Sequence, residues 1–161
     1  MNVLVCDIDN TVADQMKSLI SLHDKTPDNI YLEKAYSEDE ILNYEVLNYS
    51  IEGVKLFKNN NYKIIWLTAR KKKFEEATRS WLKKNDFPID ELILVDKIAN
   101  KIDVINQICP DIIIDDCHYN QHNLKPLLST NFIKAIEKNH NLIIFNNNWN
   151  WIIKNFKMIT K

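Results

Sequence analysis

Val3-Leu4-Val5-Cys6-Asp7-Ile8-Asp9-Asn10-Thr11 is the stretch on which the fold turns. An apolar run stops abruptly at two carboxylates spaced i and i+2, then passes into a polar turn. Residues two apart on a strand project to the same face. The pattern therefore predicts a buried strand with Asp7 and Asp9 side by side at its carboxyl end, where open α/β sheets place their ligand crevice. Two adjacent carboxylates repel each other, so the arrangement calls for a cation or a chemical role to offset them.

Outward from that strand, helical and strand patterns alternate. Residues 13–50 read as an amphipathic helical block rather than as strand. Asp14 to Leu22 has apolar residues at helical spacing, and Ser37-Glu38-Asp39-Glu40 is a capping box opening a helix through Ile41, Leu42 and Val46. Then follow a helix from Ile51 to Asn60, a buried strand from Tyr62 to Thr68, and a helix from Lys71 to Lys84 with Phe74, Ala77, Trp81 and Leu82 on one side. The remaining pattern predicts strands at Leu92–Val95, Asp111–Asp115 and Leu142–Phe145. It places helices at Asn100–Ile108, at Asn123–Lys138 and after the Asn146–Asn148 turn. The expected class is α/β: one domain over residues 1–161, built on a doubly wound, mostly parallel Rossmann-like sheet, with a small helical cap inserted at about 13–50.

Composition narrows the function classes. The chain has 161 residues, 45% hydrophobic and 27% charged, enough for a sizeable core. A net charge of −1 gives no global field for nucleic acid or membrane, and no apolar stretch approaches a membrane span. The N-terminus lacks a basic region and Asp7 interrupts its apolar run, so a secretory signal is not expected. Cys6, Cys109 and Cys117 are odd in number and lack metal-ligand spacing. They read as small buried hydrophobes in a reducing, cytoplasmic setting. Gly53 is the only glycine. Phosphate-cradling loops need several, so any phosphate chemistry must use side chains, a metal and helix N-termini. Abundant Asn, Ile and Lys reflect A/T-rich codons.

Four features fall at strand ends or at the start of a helix: Asp7-Ile8-Asp9-Asn10-Thr11; Thr68 followed by Ala69-Arg70; a lysine, Lys101 or Lys97; and Asp115-Asp116 after Ile112-Ile113-Ile114. A calcium loop beginning at Asp7 is excluded, because its sixth and twelfth positions are Val12 and Ser18 instead of glycine and glutamate. A receiver domain is excluded by order, since its paired acids come first in the chain.

With the four motifs in this order, the chain resembles the haloacid dehalogenase (HAD) superfamily of phosphohydrolases from Val3 to about Trp149. The resemblance implies a magnesium-dependent phosphatase, with a non-catalytic phosphate-binding scaffold or a phosphotransferase to an acceptor other than water as alternatives. Asp7 would be the nucleophile and Asp9 the general acid and base. Asp7, the backbone carbonyl of Asp9 and one or both of Asp115 and Asp116 would hold Mg2+. Thr68 and Lys101 would neutralise phosphoryl oxygens, and Thr68, Ala69 and Arg70 would meet the substrate. Lys101 is preferred to Lys97 for its place in the helix leading to Asp115. Asn10 stands where the family usually has glycine, and asparagine best tolerates the left-handed backbone there. Arg70 reads first as a solvated cation at a helix start, with a fork onto substrate as the sharper alternative. Lys71-Lys72-Lys73 reads as a solvated face, and His118 and His122 as polar residues outside any magnesium site. Trp149-Asn150 is open between an aromatic anchor and a pair similar to one in nucleotidase-like members. Leu67-Thr68-Ala69-Arg70, Asp115-Asp116 and Trp149-Asn150 look similar to deoxyribonucleotidase-type members and to the phosphatase domain of polynucleotide kinase–phosphatase. The implied partner is a phosphorylated small molecule, foremost a nucleotide, or a nucleic-acid 3′ end.

Overall fold

The structure, a computed structural model, describes residues 1–25, 34, 37–119 and 124–161. In chain order its elements are β1 (Asn2–Cys6), α1 (Gln15–His23), α2 (Glu38–Asn43), α3 (Ser50–Asn59), β2 (Tyr62–Thr68), a 3-10 turn (Lys72–Phe74) and α4 (Glu75–Lys84). They continue with β3 (Glu91–Leu94), α5 (Ile98–Ile108), β4 (Ile112–Asp115), β5 (His118–Tyr119), β6 (Leu127–Leu128), α6 (Thr130–Glu137), β7 (Leu142–Ile144), α7 (Trp149–Lys154) and α8 (Phe156–Ile159).

Five strands form a parallel sheet in the order β3-β2-β1-β4-β7. Parallel sheets are covered on both faces, which is why their strands read as unbroken apolar runs. Leu4, Cys6, Ile64, Trp66, Ile112 and Ile114 join one core layer with Phe57, Trp81 and Trp149. Val5, Ile65, Leu67 and Ile113 join the other with Ile105, Phe132 and Ile136. The central position of β1 brings its carboxyl end between those of β2 and β4. Among the described residues, no helix is long and apolar enough to cross a membrane.

β1 ends at Cys6, so strand alternation does not set the relation of Asp7 to Asp9. Asp7 N–H still bonds the Ile114 carbonyl at 2.9 Å, but the chain then coils. The Ile8 carbonyl accepts from Thr11, Val12 and Ala13 N–H at 3.2, 2.9 and 2.9 Å, and Asn10 adopts φ 58° as expected. Eight non-glycine residues take positive φ among the described residues, including Asn61, Asp86, Cys109, Cys117 and Asn147.

Asp14 caps α1 by accepting from Lys17 N–H at 3.0 Å. Ser37 caps α2 through Glu40 N–H at 3.2 Å, but the capping box does not close. Glu40 accepts instead from the Ser18 hydroxyl of α1, which ties the two helices together. α2 stops at Asn43, and Val46 pairs with Ala13 as an isolated bridge where helix was expected. The rest of the 13–50 block, residues 26–33, 35 and 36, lies outside the described residues, as do His122 and Asn123.

The expected Asn123–Lys138 helix is only partly helical. Its described part holds β6 before α6, and β6 pairs antiparallel with β5. Two-residue strands are too short for alternation to register. Cys6 and Cys117 are buried, whereas Cys109 is an exposed left-handed cap of α5 instead of a buried hydrophobe.

Gly53 faces the Trp149 indole across the contact of α3 with α7. A Cβ there would overlap Cε3 and stand 2.8 Å from Cζ3. Overpacking of this kind costs about 1–3 kcal/mol. Gly53→Ala is therefore expected to lower the urea midpoint despite alanine's better helix propensity, and an unchanged or raised midpoint would show that the indole moves aside freely.

Candidate active site

Asp7 follows β1, Asp115 ends the adjacent parallel strand β4 and Asp116 follows it, and each is buried. Each offers a carboxylate oxygen, and these lie within 4.8 Å of one another. Lys101 reaches them from the first turns of α5, which docks on the sheet through Ile105. Its ammonium donates to Asp7 Oδ1 at 2.6 Å and to Asp115 Oδ2 at 2.8 Å. Lys97, the alternative, is exposed at the helix cap.

Other bonds fix the carboxylates in place. Thr11 Oγ1 donates to Asp7 Oδ2 at 3.3 Å and accepts from Asp116 N–H at 3.2 Å. Cys117 N–H donates to Asp115 Oδ1 at 2.7 Å, and His118 N–H to Asp116 Oδ1 at 3.3 Å. Trp149 Nε1 donates to the Thr11 carbonyl at 2.6 Å, so the indole is an anchor that grips the first motif.

Three buried carboxylates meet one ammonium, and the imbalance shows in their proton affinities. Burial pushes Asp7 up to about 7 although Lys101 opposes it. Burial, with Asp7 and Asp115 nearby, pushes Asp116 up to about 9. Burial works against the Lys101 ammonium, but Asp115 and Asp7 outweigh it and hold the lysine charged, above its ordinary range. A cluster of hard oxygens with surplus negative charge, and no thiolate or imidazole among the three, fits magnesium.

Asp9 stands apart from this trio. Its Oδ2 accepts from Arg70 Nε at 2.9 Å and its Oδ1 from Nη2 at 2.5 Å, while Thr68 Oγ1 lies 3.4 Å from Oδ2. Arg70 is thus not a solvated cation: it is 7% exposed. Its Nη1 donates to Thr78 Oγ1 at 2.9 Å, and its guanidinium lies 5.5 Å from the centre of the Tyr44 ring. Ala69 is exposed beside it. Lys71, Lys72 and Lys73 are exposed, with Lys72 paired to Glu75.

The site residues read from sequence thus fall into two groups: Asp7, Lys101, Asp115 and Asp116 in one, and Asp9, Thr68 and Arg70 in the other. Thr11, Thr78 and Tyr44 were not singled out. Thr11 stood in the first motif, four residues after Asp7, whereas nothing local marks Thr78 or Tyr44.

The fold and these paired acids define a HAD-type α/β domain. The chain belongs to the family of the LNS2 domain of PITM 1-3, whose profile matches residues 4–144. A chain of the Pnkp1/Rnl/Hen1 RNA repair complex superposes with a TM-score of 0.61 at 18% identity, over 90% of this chain and 42% of that one. This chain therefore spans less than half of that protein. A HAD-superfamily hydrolase from Ehrlichia chaffeensis gives a TM-score of 0.58 at 15% identity, over 99% of this chain and 98% of that one. The D,D-heptose 1.7-bisphosphate phosphatase of B. bronchiseptica, complexed with magnesium and phosphate, gives 0.52 at 11%, over 96% and 87%. No curated protein matches the sequence.

Raised carboxyl affinities carry a definite sign. Between the ordinary carboxyl range and about pH 9 the folded state binds more protons than the unfolded one, so stability falls as pH rises through that window. A magnesium ion held by the deprotonated carboxylates would offset the loss. Thermal melts in chelator are expected to show Tm falling from about pH 5 to pH 9, with the gain from magnesium largest at the alkaline end. A magnesium gain independent of pH would remove the ion from this cluster.

Proposed function

We propose that the chain is a magnesium-dependent phosphomonoesterase acting through an aspartyl-phosphate on Asp7, with nucleoside monophosphates as its substrates. The observation that carries the reading is the separation of the two aspartates of the first motif. Asp7 is buried with Lys101, Asp115 and Asp116, whereas Asp9 is held at 14% side-chain exposure by Arg70. That separation supports different roles for the two, attack for Asp7 and proton transfer for Asp9.

Uncatalysed phosphate monoester hydrolysis is among the slowest of biological reactions, and enhancements approach ~10²¹-fold. A carboxylate nucleophile divides the displacement into two easier steps. Asp7 attacks phosphorus, the ester P–O bond breaks, and the departing alkoxide takes a proton from Asp9, which has first to take up that proton from solvent on one of the oxygens that Arg70 holds. Asp9 then takes a proton from water as that water attacks phosphorus, releasing phosphate and restoring the Asp7 carboxylate. Thr68 and the Lys101 ammonium offset charge on the phosphoryl oxygens. When bound at Asp7, Asp115 and Asp116, with the backbone carbonyl of Asp9 as a further ligand, magnesium would supply further positive charge there. The magnesium and phosphate of the heptose bisphosphate phosphatase support this reading.

The block at 13–50 serves as a cap over the crevice, within a single domain. Its small size leaves room for a nucleotide. The likeness to the RNA repair complex favours a second reading, hydrolysis of a polynucleotide 3′-phosphate. A reducing, cytoplasmic setting suits the unpaired cysteines.

Phosphate release from 5′- and 3′-nucleoside monophosphates, 3′-phosphorylated oligonucleotides and sugar phosphates decides between these substrates. Turnover is expected with magnesium and not with chelator. Asp7→Asn should lower it by at least about 10³-fold while leaving the metal-free protein no less stable, because it removes one of the crowded carboxylates. Retained turnover in that variant would remove Asp7 as nucleophile.

A further inference from the structure

Arg70 is held by residues from three other segments of the chain. Nε and Nη2 form a fork on the two oxygens of Asp9, and Nη1 bonds the hydroxyl of Thr78 on α4. The guanidinium carbon lies over the ring of Tyr44, which caps the end of α2, 5.5 Å from the ring centre. Tyr44 is itself fixed. It is 4% exposed, its carbonyl accepts from Trp81 Nε1 at 2.9 Å, and its side chain hydrogen-bonds Gln15 of α1.

A planar guanidinium donates in fixed directions and stacks on aromatic faces, so a ring on one side and a hydroxyl at one end define where its remaining donors point. An Asp9 carboxylate gripped through both oxygens cannot rotate without breaking both bonds. Displacing a reacting group by about 1 Å can cost about 10²-fold in rate.

We infer that Tyr44 is a positioning residue: its ring holds Arg70 so that Arg70 holds Asp9, and the segment between the first strand and α3 thereby sets the placement of the proton-transfer carboxylate. The inference rests on the phosphatase reading for its kinetic consequence and on the contacts above for its geometry. Thr78 secures the other end of the guanidinium, and Gln15 links the same ring to the helix that follows the first motif.

Leaving-group dependence separates positioning from general structural support. An alkyl alcohol needs the proton that Asp9 supplies, whereas p-nitrophenolate leaves without one. With magnesium, Tyr44→Leu is expected to lower kcat/KM, which reports only the steps through departure of the alcohol and not the hydrolysis shared by both esters, by about tenfold or more on an alkyl phosphate monoester and by less than about threefold on p-nitrophenyl phosphate. Tyr44→Phe, which keeps the ring, should remain within about threefold of wild type on both. Equal losses on the two esters, or no loss on either, would overturn the inference. Thr78→Val carries the same comparison should Tyr44→Leu fail to fold. The Arg70 Nε–H resonance gives a readout independent of turnover, with slow solvent exchange expected in wild type and lost in Tyr44→Leu. If wild type hydrolyses neither ester, the phosphatase reading falls and this resonance alone decides. Its persistence in Tyr44→Leu means that the ring does not hold the pair.

Discussion

One buried ammonium organises the carboxyl edge of the sheet. Lys101 lies between Asp7 and Asp115, which emerge from adjacent parallel strands, and it belongs to the helix that returns the chain to the second of them. Isolated charges are costly to bury, and removing one partner of a buried pair leaves the other uncompensated. The Lys101 bridge therefore couples helix docking, strand adjacency and the charge state of the cluster. It neutralises only part of the local charge, so the cluster retains an attraction for a further cation. Fold and chemistry depend on the same contact.

A second set of contacts supports the cluster from the opposite core layer. Trp149 holds the Thr11 carbonyl, and Thr11 Oγ1 bridges Asp7 to the backbone of Asp116. The indole packs against the only position in the chain without a side chain, Gly53. The C-terminal helix thus reaches the first motif through one aromatic ring. That ring's bulk is accommodated in α3, and its polar edge is satisfied at the site.

The sheet was legible because each buried strand is an uninterrupted apolar run ending in polar residues, and parallel sheets produce such runs. Asp7, Thr68, Asp115 and Asp116 could be found because they fall at those ends. Lys101 could be found because it is a cation in the helix leading to the last acidic strand. The environment of Arg70 was not legible. A lone arginine after a strand looks solvated, and its burial here depends on Tyr44 and Thr78, 26 residues before and 8 after it in the sequence. The β5–β6 ribbon escaped for another reason, since two residues per strand carry no detectable period. The capping box predicted the start of α2, but the second bond of the box went to a tertiary partner, Ser18, that no local pattern announces.

A chain that turns on asparagine, aspartate and cysteine in place of glycine has a less free unfolded state, and it pays in native backbone energy, about 1–3 kcal/mol at each strained position. One of these positions is Cys117, immediately after the acidic pair, with φ 58°. Its N–H is drawn back onto Asp115 at 2.7 Å. The turn that presents Asp116 is preloaded, like a bent spring held by one catch. By turning the chain after Asp116, that dihedral angle brings His118 N–H back onto Asp116 Oδ1 at 3.3 Å, so the carboxylate is held by backbone geometry as well as by the charges around it.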